Sequence, residues 1–125
     1  FYQTEFYFHE ARMHGAIIEA PCINTSEYLT TIIGNTIYIG FIHLKSLEQK
    51  IARSIALERS LHGNYSSLDN FLQRIKGIGL EQVRILIRIG AFRFTNKSKQ
   101  HLLWEAMLYM SHTKTRSNTT SALFN

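Results

Sequence analysis

The sequence has one cysteine, one proline and, apart from Asp69, no aspartate. The lone Cys22 rules out an internal disulfide and fits a reducing cytoplasm. Phosphoryl transfer with two metals needs carboxylates gathered about the metal pair, and one aspartate with helix-surface neighbours does not supply them. Catalysis by this stretch is therefore not expected, nor any cofactor of its own. The six histidines, His9, His14, His43, His62, His101 and His112, are scattered, and no His/Cys set has zinc spacing. Cys22 has no partner base that would make it a nucleophile. Long apolar runs are missing too, so no membrane span is expected. The opening FYQTEFYFHEARMHG has neither Met nor the basic-then-apolar layout of a signal peptide, and reads as cut from a longer protein.

A hydrophobic content of 45% in 125 residues suffices for one packed module with a tail. The net charge of +5 is unevenly spread. Residues 1–44 set Arg12 against Glu5, Glu10, Glu19 and Glu27, a net of −3. Residues 45–101 set eleven Lys/Arg against Glu48, Glu58, Asp69 and Glu81, a net of +7. A polyanion is the natural partner of such a stretch, because each phosphate neutralised releases condensed counterions. A generic solvated surface is the plain alternative.

Residues 4–14 read as a helix capped by Thr4 and ended by Gly15. Ala16–Ile18 is extended, and Pro21–Ser26 is a loop by its Pro/Asn/Thr/Ser content. Tyr28–Ile33 and Thr36–Phe41 are rich in β-branched and aromatic residues around Gly34-Asn35, which predicts a short β-hairpin. From Leu47 the period becomes helical. Ser46 to Gln49 matches a capping box, and Gly63 closes that helix. Ser66 or Ser67 opens a shorter helix to Ile75, a third runs from Leu80 to Ile89 and stops at Gly90, and a fourth from Lys97 to about Met110. Phe92, Phe94 and Trp104 have core spacing, which outweighs a base-stacking role. Ser111–Ser121 is polar without periodicity and predicts a flexible tail.

Ile75-Lys76-Gly77-Ile78-Gly79-Leu80-Glu81-Gln82-Val83 follows the pattern of a helix-hairpin-helix turn. Gly77 and Gly79 permit positive φ and let a sugar–phosphate backbone approach the main chain. Ile78 turns inward and pins the hairpin. The amides of Gly79, Leu80 and Glu81 stand at a helix start, where unsatisfied N–H groups and the dipole attract phosphate. Lys76, Arg84 and Arg88 surround it, while Glu81 opposes it. Contacts of this kind reach backbone and not base edges, so they are expected to ignore sequence. A simple helix corner with glycines used only for the turn is the rival. Phe41–Ala52 reads as a degenerate second copy in which Ser46 and Glu48 take the glycine positions. Ser46 is either a phosphate ligand beside Lys45 and Lys50 or an ordinary N-cap.

Four blocks in order carry a more specific resemblance: HEARMHGAIIEAPCINTSEY (9–28), IYIGFIHLKSLEQKIARSI (37–55), YSSLDNFLQRI (65–75) and IGLEQVRILIRIGAFRFTNKSKQHLLWEA (78–106). Over roughly residues 1–110 the chain resembles the bacterial DNA polymerase III alpha subunits, the family C replicative polymerases. That resemblance implies a segment joining the end of the fingers to a tandem helix-hairpin-helix region on product duplex, with the Mg-dependent active site elsewhere in the parent. Its departure from the family is Ser46 and Glu48 in the first hairpin. Thr120-Ser121-Ala122-Leu123-Phe124 is similar to the family's clamp-binding pentapeptide, with Leu123 and Phe124 as the inserting pair and Thr120 where Gln is usual.

The expected architecture is mainly α with a small β-hairpin (α+β), a tandem helix-hairpin-helix module. Residues 1–36 form the fingers-like end and link, 37–110 the DNA-binding region and 111–125 the tail. The Gly77–Leu80 loop is expected to hold one strand and the Lys45–Lys50 helix start the other, with Arg84, Arg93, Lys97 and Lys99 adding attraction. Primer–template duplex, the rest of the alpha subunit and the sliding clamp are the expected partners, in the cytoplasm. Two alternatives stay open: a scaffold linking fingers to clamp-binding parts, and the DNA anchor of a repair nuclease.

Overall fold

The computed structural model describes the backbone of residues 2–124 and the side chains of residues 7–113. Helix α1 (Tyr2–Met13) leads into strand β1 (Ile17–Glu19), then β2 (Thr31–Ile33) and β3 (Thr36–Tyr38). Four helices follow: α2 (Gln49–His62), α3 (Leu68–Arg74), α4 (Leu80–Arg88) and α5 (Lys99–Phe124). The fold is thus mainly helical, as the pattern predicts. Since α1 begins at Tyr2, Thr4 lies inside it and is not its cap. Gly15, at φ 92, makes the left-handed stop.

The β-hairpin forms with antiparallel register Thr31↔Tyr38, Ile32↔Ile37 and Ile33↔Thr36. It is shorter than the β-branched run suggests, because residues 27–30 leave the ladder to bond elsewhere. The extended residues after Gly15 add a third strand: β1 lies parallel to β3, with Ile18 opposite Ile37, in the order β1-β3-β2.

One apolar cluster joins the Pro21–Ser26 link to the four later helices, from Ile23 and Phe41 through Ile55, Leu68, Val83 and Leu86 to Ala106. At its centre Phe71 meets the edges of Tyr65 and Phe92, each at 5.1 Å between ring centres. Such edge-to-face pairs satisfy the ring quadrupoles while excluding water. Burial pushes the Tyr65 hydroxyl up to about 12, and it stays a neutral donor to the Ile55 carbonyl at 2.7 Å. The link is a strap nailed down on both sides. Ile23 N donates to the Ala91 carbonyl, Asn24 exchanges two bonds with the Tyr65 backbone, and the buried Ser26 Oγ accepts from Cys22 N at 2.9 Å.

Helix α3 opens as its sequence directs. Ser67 Oγ accepts from Asn70 N at 3.0 Å while Asn70 Oδ1 accepts from Ser66 N. Ser67→Ala should cost about 1 kcal/mol, readable as a lowered urea midpoint; an unchanged midpoint would show that the packing of Leu68 and Phe71 alone sets the helix start. Helix α5 departs from expectation in two ways. It runs on past Met110 to Phe124, through the segment read as a flexible tail. Trp104 is also 56% exposed and not a core residue, whereas Phe92 is fully buried. The buried face of α5 is Leu102 and Ala106, which rotates Trp104, Met107 and Leu108 outward. No described helix is long and apolar enough to cross a membrane.

Candidate nucleic-acid interface

Helix α3 ends at Arg74, Ile75 caps it, and the chain reverses through Lys76–Gly79 into α4. Gly77 takes φ 82, the conformation that favours glycine. Gly79 does not: it is extended at φ −80 and ψ 158, and it is the N-cap of α4. The sequence-based expectation of positive φ at both glycines therefore holds only for Gly77. A Cβ at Gly79 would meet nothing within 4 Å. Between them Ile78 is buried, as its alternation with the glycines predicts. The amides of Leu80 and Glu81 precede the first intrahelical bond of α4, Gln82 N to Gly79 O at 3.1 Å. They stand at the exposed positive end of the helix dipole.

The first hairpin is built differently. Gly40 starts a short 3-10 turn at Phe41–His43, and the chain then runs through Leu44–Glu48 into α2. The capping box expected at Ser46–Gln49 does not form. Glu48 is the N-cap, with no side-chain cap bond, because the helix begins later than its apolar spacing suggests. Ser46 and Glu48 are instead held by Gln82 of α4. The Gln82 side-chain oxygen accepts from Glu48 N at 2.7 Å, and its amino group donates to the Ser46 carbonyl at 3.0 Å. Nothing in the sequence marks Gln82 for this role, since its partners lie more than thirty residues upstream. Leu47 is buried between them.

The cations divide into two groups. Lys45, Ser46 and Arg88 line one shallow depression floored by Leu44, Ile85 and Ile89. Lys50 and Lys76 line a second, between α2 and the end of α3, beside the Glu58–Arg74 pair. Lys76 adjoins the Gly77–Leu80 hairpin, whereas Arg88 stands at the opposite end of α4. Arg84 lies on the exposed side of α4 and pairs with Glu81 at 3.1 Å, which offsets the acid beside the hairpin amides. Arg93, Lys97 and Lys99 are occupied within the fold. Arg93 donates to the carbonyls of Ala20, Pro21 and Gly90 and pairs with Glu19; Lys97 pairs with Glu105 at 2.9 Å; and Lys99 caps the Arg88 carbonyl at 2.7 Å. Their spacing in the sequence shows positive charge but not these carbonyl partners. The Leu123 and Phe124 side chains lie outside the described residues. Among the described residues no group of three or more His, Cys, Asp or Glu is placed to hold a metal ion.

The chain is 32% identical over 97 residues to DNA polymerase III subunit alpha of Aquifex aeolicus, covering 75% of this chain and 8% of that protein. It is 30% identical over 121 residues to the same subunit of Treponema pallidum, covering 93% and 10%. Against the error-prone DNA polymerase of Mycobacterium tuberculosis it is 28% identical over 108 residues, covering 85% and 10%. It spans about a tenth of the length of these curated relatives. The family model described as helix-hairpin-helix motif matches residues 15–102, from the left-handed stop at Gly15, through the strap and both hairpins, into the first turn of α5. With the second hairpin turned on Gly77 and pinned by Ile78, the chain belongs to the helix-hairpin-helix family.

Proposed function

We propose that this chain binds duplex DNA through its sugar–phosphate backbone, without regard to sequence, as a non-catalytic part of a replicative DNA polymerase. The observation that carries this is Gly79. Its φ is ordinary and the space around it is open, so neither backbone strain nor internal packing calls for glycine there, and an N-cap with no side-chain cap bond leaves the α4 amides uncovered. A backbone approaching those amides from outside does call for glycine. Lys76 flanks that point directly with Lys50 in the depression beside it, Ser46 is held to the first turn of α4 by Gln82, and Arg84, Lys45 and Arg88 extend the positive charge along α4 toward its far end, a cationic surface matched to phosphates. Ile78 and Leu80 shape the loop from beneath. The polymerase relatives support this parent over a repair nuclease.

The parent would supply polymerisation and its Mg ions, with the primer–template duplex as substrate, and would work in the cytoplasm. The rest of the alpha subunit is then the intramolecular partner. In this reading Leu123 and Phe124 reach the sliding clamp. Arg93, Lys97 and Lys99 contribute through the long-range field, since their head groups are already engaged.

Gly79→Val tests the reading. A Cβ at this position meets nothing within 4 Å, so the chain should still fold, with the urea midpoint lowered only by the roughly 1 kcal/mol that a β-branched residue costs at an N-cap. Affinity for a labelled blunt duplex should fall tenfold or more, about 1.4 kcal/mol. Equal affinity with an intact fold would sink the phosphate-contact reading. No binding by the unaltered chain at 50 mM salt would favour the scaffold.

A further inference from the structure

Among the described residues two sets of directional bonds join the hairpins: Arg74 at the end of α3 bonds Glu58 late in α2, and Gln82 brackets Ser46 and Glu48 at the helix starts. Glu48 is extended at φ −61 and ψ 135, and the Gln82 amide takes both an N–H and a C=O from that stretch, as a neighbouring strand would. Gln82 itself lies in the first turn of α4. The bracket therefore ties the start of α2 to the start of α4. Elsewhere α4 packs chiefly on α5, and α2 on the Phe41–His43 turn. Leu44, Ile85 and Ile89 add an apolar seam between the hairpins, but such contact is non-directional and does not set a register.

We propose that Gln82 is the positioning residue that fixes the spacing of the two hairpins, and so lets both engage backbone phosphates at once. This rests on the duplex-binding reading above. Both bonds are solvent-exposed, and exposed hydrogen bonds add little to stability. Their loss should therefore show in binding geometry more than in folding. What Gln82 reads at Ser46 and Glu48 is main chain, so the bracket does not depend on their side chains.

The test uses Gln82→Met, which keeps the length without the bonds, and Gln82→Ala. Duplex affinity of the whole chain is measured from 50 to 200 mM salt, alone and with Lys45→Ala/Lys50→Ala. The salt slope counts phosphates neutralised, at about 0.9 per phosphate. In the unaltered chain the lysine pair should lower that slope. Both Gln82 variants should fold normally, show a similarly reduced slope, bind about tenfold more weakly at 50 mM, and lose little more when the lysines are also removed. A Gln82→Met slope equal to that of the unaltered chain, or lysine effects that simply add, would overturn the proposal while leaving duplex binding standing. Absence of binding by the unaltered chain would sink the duplex reading and this inference with it.

Discussion

Gly40→Ala should unfold much of this protein's margin, lowering stability by about 3 kcal/mol or more. Gly40 has an ordinary φ of −79, so the demand for glycine there is one of space. An added Cβ would fall on the Leu29 carbonyl carbon, with the Tyr28 oxygen at 2.5 Å and the Thr30 nitrogen at 2.6 Å. All three are backbone atoms and none can rotate away. The close approach is also what lets Phe41 N reach the Glu27 carbonyl, Ile42 N the Tyr28 carbonyl, and Gly40 N the Thr30 hydroxyl at 3.0 Å. His43 bonds the same hydroxyl at 3.0 Å, and burial holds its imidazole below its ordinary value. Separating the two segments breaks this lattice and loosens Phe41, a core residue. With a urea slope of about 2 kcal/mol per molar, the midpoint should fall by about 1.5 M. A midpoint within 0.3 M or so of the unaltered chain, on that same slope, would mean residues 28–30 shift at little cost. Because Gly79 is open and Gly40 is not, substitutions at the two glycines should separate binding from folding.

Replacing Arg74 by leucine is expected to cost about 3 kcal/mol at neutral pH, leaving aside its ion pair with Glu58. The guanidinium sits 4.2 Å over the Tyr65 ring with its side chain 15% exposed. It donates to the carbonyls of Gly63 at 2.6 Å and Asn64 at 3.0 Å, to Asn70 Oδ1, and to both the carboxylate and the carbonyl of Glu58. One side chain thereby satisfies the end of α2, the turn after it and the face of α3. Lysine, a point donor, cannot span those acceptors, so Arg74→Lys should recover less than half of the loss.

Acid gives a second readout. The Arg74 hydrogen bond, with help from His62, holds the Glu58 carboxyl below its ordinary 4.5. A depressed carboxyl stabilises the fold above 4.5 and loses that contribution as pH falls through its folded value. The gap between Arg74→Leu and the unaltered chain should therefore narrow on going from pH 7 to pH 3. Urea midpoints at the two pH values decide it, and a constant gap would remove the ion pair from the account.

Much of the candidate site is visible in one line of sequence. Gly77-Ile78-Gly79 between apolar periods announces its turn, because a left-handed residue, an inward anchor and a helix start each leave a local signature. Ser67 and Gly63 mark helix ends for the same reason, since a cap bonds within three or four residues. The first hairpin is less legible. Ser46 and Gln49 have the spacing of a capping box, yet Gln82 claims the Ser46 carbonyl and the Glu48 amide, and the helix starts later. Arg93, Lys97 and Lys99 count as positive charge in any window. Only the folded chain shows that they serve the carbonyls of residues 20, 21, 88 and 90 and the carboxylate of Glu105.

By itself, then, the sequence determined the helical class, the β-hairpin, the second hairpin and its buried Ile78, all features set by interactions a few residues apart. Tertiary structure decided the parallel strand at Ile17–Glu19, the burial of the 21–26 strap, the outward turn of Trp104 and the bracket between the hairpins. Each of those rests on partners that chain spacing does not encode, such as Ala91 for Ile23 or Ser46 for Gln82. Backbone N–H and C=O groups are alike at every residue, so which distant pair will meet is settled only when the core brings them together.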